Sequence, residues 1–284
     1  GLAAMFTMMN AARLGVGMQG LGIGEIAFQS AFDYAKDRGQ GRSLGGTKSP
    51  DKPADSILVH PDVRRMLLRM KANNEGGRAM AAWIALNIDK SLKHADPEVR
   101  EQADDFVQLM TPIIKSYMTD AGSEAANLGV QTMGGHGYIQ EWGMEQLVRD
   151  ARIAQIYEGT NGIQALDLAG RKLGAHFGRY LRSFFHPVSS FIEENATNAD
   201  AGEFIGDLAK SFGWLQQATG QIALSGLKDP EEVGAASSDY LRLFALTALA
   251  YLWCEMALKA KAALKEGRGD AACVNGRCGA LNGR

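Results

Sequence analysis

Apolar residues in this chain recur at helical spacing almost from end to end, and sustained two-residue alternation of β-branched residues is nearly absent. That pattern argues against sandwiches, barrels and α/β sheets and leaves an all-α fold. The first stretch, residues 3 to 37, carries Met9, Val16, Leu21, Phe28, Ala31 and Phe32 on a broad apolar stripe. Glycines at 15, 17, 20, 22 and 24 interrupt it. Each costs roughly 1 kcal/mol against Ala in an exposed helix. Their number implies close approach of another backbone or of a ligand; a loosely packed helix is the alternative.

Punctuation divides the rest. Residues 39 to 53 form a polar loop rich in Gly, Ser, Lys and Pro. A second helix is expected from Pro61 to Leu92, with Pro early and Asp62 in the first turn. Asp96-Pro97-Glu98 opens a third, running toward Tyr117 with Pro112 as a candidate kink. A fourth is expected from Asp120 to Met133, completing an up-down four-helix bundle. Glycines then mark a loop at 134 to 138, Glu145 to Ile156 is helical again, and Thr160 can cap a last helix to Leu173. Beyond residue 174 aromatics cluster (Phe177, Tyr180, Phe184, Phe185, Phe191). Helices from Gly202 to Ala223 and Ser237 to Glu266 follow, with a second capping signal, Asp229-Pro230-Glu231, between them. The expected organisation is a bundle over 1–173, an appended helical module over 174–266 and a disordered tail over 267–284.

Charge and cysteine narrow the class. Thirty basic against 32 acidic residues, spread evenly, give no footprint for nucleic acid. The most apolar stretch, Leu243 to Leu258, is broken by Thr247, Cys254 and Glu255, so no membrane span is expected. The start lacks a basic segment before an apolar run and does not read as a signal peptide; entering an amphipathic pattern at once, it reads as a cut domain. Cys254 reads as core, and Cys273 and Cys278 lack zinc-ligand spacing, so no metal site is expected. The sparse cysteine fits a reducing, cytoplasmic setting.

One segment carries chemistry. Gln131 to Asn161 includes Gly134-Gly135-His136-Gly137 and Ile156-Tyr157-Glu158-Gly159-Thr160. Gly134 and Gly135 free the backbone to approach a ligand, and the turn can present N–H groups to an anion. Glu158 stands at a helix-to-loop break, where a partly desolvated carboxylate gains proton affinity. These residues resemble the signature of the acyl-CoA dehydrogenases. The resemblance extends to Asn10, Arg13, Tyr34 to Arg42 and His60 to Leu67. It covers most of residues 1 to 173, and the aromatic-rich extension is similar to the long subgroup that includes the 3-methylmercaptopropionyl-CoA dehydrogenases.

The resemblance implies the carboxy-terminal helical part of an FAD enzyme that removes a proton and a hydride from an acyl-CoA thioester. Nothing in the chain resembles the helical and β domains that precede this part in the family. It implies Glu158 as base, Thr160 near the flavin, and Arg38, Gln131, Gly134 and Gly135 on a flavin bound by a neighbouring subunit. Asn10 and Arg13 would line the CoA channel, and Tyr157 and Gly159 would flank the acyl group. An electron-transfer flavoprotein as acceptor and a homodimer or tetramer follow from the same likeness. The sequence departs from the family where an aromatic residue is missing between Gln40 and Gly41, and where Gly162 replaces Glu or Gln. A non-catalytic helical oligomerisation domain and an acyl-CoA oxidase are the competing readings.

Overall fold

A computed structural model describes residues 2–268, without the side chains of residues 2–7 and of Asn10. The described residues contain no strand; one isolated bridge joins Gly39 to Ser56. Helix α1 spans Leu2–Asp37, α2 Pro61–Lys93 and α3 Pro97–Met133. Short α4 (Gly135–Tyr138), α5 (Met144–Ala154) and α6 (Asn161–Asp167) follow. The extension holds α7 (Arg179–Asn195), α8 (Gly202–Gly226) and α9 (Pro230–Lys265). The tail expected from 267 lies, from residue 269 onward, outside the described residues, as do Cys273 and Cys278.

The all-α expectation holds, but the expected third and fourth helices are one. Pro112 sits inside α3 without ending it. A helix-interior proline costs about 3 kcal/mol. Here α3 is the central rod, touching α1, α2, α5, α6, α7 and α9. Leu109, Met110, Ile113, Ile114 and Met118 are fully buried around the proline. Burying several such side chains, at about 1.5–3 kcal/mol each, outweighs the lost backbone bond. The fourth, descending member of the bundle is therefore α5 with α6, which return along α1 and α3.

The glycine-rich stretch of α1 is a seam. A Cβ on Gly20 would stand 2.3 Å from the Met118 carbonyl oxygen, and one on Gly122 would stand 2.3 Å from that of Gly20. Gly17 faces Ile114 and Gly24 faces Asn74 and Ala125, so α1 and α3 run parallel with their backbones in contact. Gly15 and Gly22 meet nothing within 4 Å and belong to the opposite, exposed face. The close-packing expectation is met by three of the five.

Local signals behave as expected at the caps. Asp96 accepts from the Glu98 amide (2.9 Å) and Asp229 from that of Glu231 (3.0 Å), each before a proline at the first helical position. The second signal starts α9 at Pro230, seven residues before the expected Ser237. Tyr180, Phe184, Phe185 and Phe191 of the aromatic cluster lie on α7, for which no helix bounds were expected, while Phe177 precedes it in a short 3-10 turn. Phe184 packs with Trp83 of α2 and Phe244 of α9, their ring centroids 6.2 and 4.8 Å away. One hydrophobic core thus runs from the bundle into the extension, while a second fills the end of the bundle around Ala31, Met70 and Met133. Helix α9 is long and apolar enough to cross a membrane, with a mean hydropathy of 1.5 in its most apolar window, but 61% of that window is buried against the other helices. Cys254 is in this core, its thiol pushed up to about 11 by burial.

Candidate active site

Between the end of α5 at Ala154 and the start of α6 at Asn161, the chain makes a tight turn. Glu158 has φ 55° and Gly159 φ 83°. The left-handed region costs a side-chain-bearing residue on the order of 1–2 kcal/mol, so Glu158 stays there only if its surroundings hold it. They do so from below. The ammonium of Lys115, on α3, donates to the Gly159 carbonyl (2.8 Å) and to Asn161 Oδ1 (2.9 Å). Gln164 Nε2 donates to the carbonyls of Glu158 (3.2 Å) and Gly159 (3.3 Å). Asn161 Nδ2 donates to Asp120 (2.8 Å) and Gln155 Nε2 to the same carboxylate (2.6 Å). Tyr157 bonds through its hydroxyl to Gln19 of α1.

Lys115 and Gln164 are fully buried. Burial pulls the Lys115 ammonium down to about 8; Asp120 and Glu158 oppose that pull and Arg13 adds to it. Glu158 itself is half-buried. Among the described residues its carboxylate accepts no hydrogen bond and forms no ion pair, which leaves both oxygens available as a base. Thr160 caps α6 by accepting from the Ile163 amide (3.4 Å) and is exposed. Arg13 is buried and reaches Asp167 at 3.8 Å, with its Nε unpartnered. It also borders an open cleft of about 660 Å³ together with Asp104, Gln108 and Lys172. The side chain of Asn10 lies outside the described residues.

The remaining expected residues gather at the C-terminal ends of α1 and α3. Arg38 follows the last turn of α1, while Gln131, Gly134 and Gly135 lie at the end of α3. Gly134 has φ 62° and ψ −137°, a conformation that is essentially glycine-only. Gln131, Gly134 and Gly135 are exposed, and nothing stands within 4 Å of where a Cβ would be on either glycine. Arg38, Gln40, His60, Thr132 and Gly134 border a cleft of about 250 Å³. Among the described residues Arg38 pairs with no carboxylate; its one side-chain partner is Gln40 Oε1 at 3.4 Å. His136 is built into the scaffold: it bonds Tyr34 Oη (2.9 Å) and stacks on Trp142 at 4.9 Å. Gln19 to Asp37 on α1, and Lys115 to Met133 on α3, both measure about 27 Å of helix. The predicted residues thus form two clusters, one at mid-length of α1 and α3 and one at their C-terminal ends.

Sequence reasoning missed Lys115, Gln164 and Asn161 under the turn, and Asp55 beside the far cluster. Asp55 is fully buried and accepts from the amides of Ser43 (3.0 Å), Lys48 (3.0 Å) and Ser49 (2.7 Å). The Ser43 amide, then those of Lys48 and Ser49, with Arg42, hold its carboxyl down to about 2 against the opposing effect of burial. The only early signal for Lys115 was its place as a lone charge in an apolar helical run.

A profile described as "Acyl-CoA dehydrogenase, C-terminal domain" matches residues 1–173. The chain belongs to the acyl-CoA dehydrogenase family. A second profile, "Acetyl-CoA dehydrogenase C-terminal like", matches residues 184–282. The 3-methylmercaptopropionyl-CoA dehydrogenase of Ruegeria pomeroyi is 40% identical over 95% of this chain and 45% of its own. A butyryl-CoA dehydrogenase of Syntrophomonas wolfei is 35% identical over 72% of this chain and 33% of its own. The chain therefore spans less than half the length of these curated relatives. Among solved structures, Caenorhabditis elegans ACDH-11 in complex with C11-CoA superimposes with a TM-score of 0.78 at 17% identity, over 99% of this chain and 44% of its own. A Bacillus anthracis acyl-CoA dehydrogenase complexed with FAD gives 0.67 at 17%, over 95% and 45%. At such identities these two likenesses show the fold.

Proposed function

We propose that the chain is the carboxy-terminal helical part of an FAD-dependent acyl-CoA dehydrogenase, with Glu158 as the base that takes the α proton of an acyl-CoA thioester. The observation that carries this is the Glu158 turn: a half-buried carboxylate, without a partner among the described residues, on a left-handed backbone fixed by buried donors. Tyr157 and Gly159 flank it, and Thr160 stands one residue beyond, placed to meet the cofactor.

The far cluster fits a flavin dinucleotide. An exposed guanidinium with no carboxylate partner suits a pyrophosphate, and the bare Gly134-Gly135 backbone lets an adenosine approach closely. The flavin, when bound, supplies the acceptor for the hydride that leaves the β carbon. Glu158 accepts the proton, and the turn keeps its carboxylate at the reacting face. Because about 27 Å of helix separates the two clusters, a second copy is proposed to supply Arg38, Gln131, Gly134 and Gly135 to a complete site, which supports a homodimer or tetramer. The Ruegeria relative supports a short, thioether-bearing acyl-CoA as substrate, an electron-transfer flavoprotein is the proposed acceptor, and a cytoplasmic setting is proposed with them.

The test begins with the visible spectrum of the purified chain after incubation with FAD and desalting. A retained flavin band bleached anaerobically by a short acyl-CoA assigns the activity to this chain; a colourless protein makes it a helical domain that needs the rest of the enzyme. In the intact enzyme, Glu158→Gln is expected to keep its flavin and lose reduction by substrate, and full reduction by that variant removes Glu158 as base. Rapid reoxidation of the reduced enzyme by oxygen would favour an oxidase.

A further inference from the structure

Burying an ammonium under a turn of backbone is unfavourable unless the donors are used. Lys115 has no exposed surface and lies in the middle of the central helix, flanked by apolar residues. An unbranched apolar side chain would fill the same space more cheaply. What Lys115 adds is two directed donor bonds, and both end on the segment that carries Glu158.

We propose that Lys115 is a positioning residue for the dehydrogenation, holding Glu158 in its left-handed conformation by pinning the Gly159 carbonyl and the Asn161 side chain to α3. The inference rests on the reading of Glu158 as base and deepens it. The bracket has three points. Lys115 holds the carbonyl just after Glu158, and Gln164 holds that carbonyl and the one at Glu158 itself. Asn161 joins the far side of the turn to Lys115, the Ser116 carbonyl and Asp120. Gly159 has φ 83°, and a Cβ there would stand 2.6 Å from Gln164 Nε2, so a side chain would strain the turn and displace one of its donors. Lys115 touches no reacting atom. It acts by fixing where the Glu158 carboxylate stands relative to the α carbon, and a misplacement of about 1 Å can lower a rate by about 100-fold.

The test uses Lys115→Met, similar in length but without donors, alongside Lys115→Gln, which keeps one donor amide and covers the case in which the first variant does not fold. Hydrogen exchange on this chain reads the turn independently of any chemistry. The Tyr157 and Asn161 amides, bonded to Ile153 and Gln155, should exchange at least about 10-fold faster in Lys115→Met, while amides along the α1–α3 seam are unchanged. In the intact enzyme, anaerobic flavin reduction should slow by about 100-fold with acyl-CoA and FAD binding altered less than about threefold, and Lys115→Gln should recover part of the rate. Unchanged exchange at the turn overturns the proposal. So does a loosened turn with an unchanged reduction rate, which would make Lys115 structural only. Reduction by Glu158→Gln would instead sink the base assignment, and the exchange result would still report on the bracket.

Discussion

The two clusters solve the same problem, an ordered loop carrying polar groups, in opposite ways. The Glu158 turn is held from outside itself, by Lys115 from a helix 44 residues away in sequence. The loop between α1 and α2 is held from within, by Asp55 collecting amides at most 12 residues away. The first arrangement ties loop order to the packing of the bundle, and the second is local. On the proposed function, a turn that aims a reacting group gains from being fixed to the rigid core, whereas a loop that offers a guanidinium to a flexible phosphate needs less.

The sharpest way to break this contrast is Gly159→Ala. Its φ of 83° disfavours a side chain and the new Cβ would press on Gln164. Stopped-flow flavin reduction in the intact enzyme should fall about 100-fold, with exchange across residues 39 to 56 unaltered. A parallel loosening of both loops would show that they are not independent. Asp55→Asn probes the other side with a smaller effect. Exchange at the Ser43, Lys48 and Ser49 amides should rise about tenfold or more while the Glu158 turn keeps its protection, and FAD retention should weaken through Arg38. Equal protection in the variant would mean that the backbone bridge from Gly39 to Ser56 suffices.

The smallest effect is on pH: both groups have lowered folded values, so stability rises with pH in both windows, in acid for Asp55 and in alkali for Lys115. Asp55 has its folded value depressed to about 2. Its contribution is present above the unfolded value near 3.9 and is lost as pH falls through about 2. Lys115 is lowered to about 8 from an unfolded value of about 10.4. The unfolded chain binds the proton more tightly across that window, so stability contributed by this site rises between pH 8 and about 10. Urea denaturation against pH should show an alkaline limb that Lys115→Met flattens and an acid limb that Asp55→Asn flattens. Limbs assigned the other way would reverse the assignment of the two groups.

Much of this was legible in residue order, for identifiable reasons. Asp96-Pro97 and Asp229-Pro230 announced helix starts because capping is decided within four residues. The Glu158 turn was legible through its motif, and Gly17, Gly20 and Gly24 through their cost. Pro112 misled, because its local penalty is overridden by burial on every side of α3, which only the assembled bundle reveals. Helix α7 was missed because its aromatics obscured the period. Lys115 and Asp55 were invisible as site residues: an isolated Lys in an apolar run reads as a side chain reaching solvent, and an Asp in a polar loop reads as solvated. Their partners are set by topology.

The unbroken course of α1 between the two clusters acts as a phase lock. Each residue added or removed between Gln19 and Asp37 would turn Arg38 by about 100° around the axis and move it about 1.5 Å along it. The Gly20–Gly122 contact leaves no room to rewind the helix in compensation. Length changes can be absorbed only past its end, where Gly41 takes φ 71°.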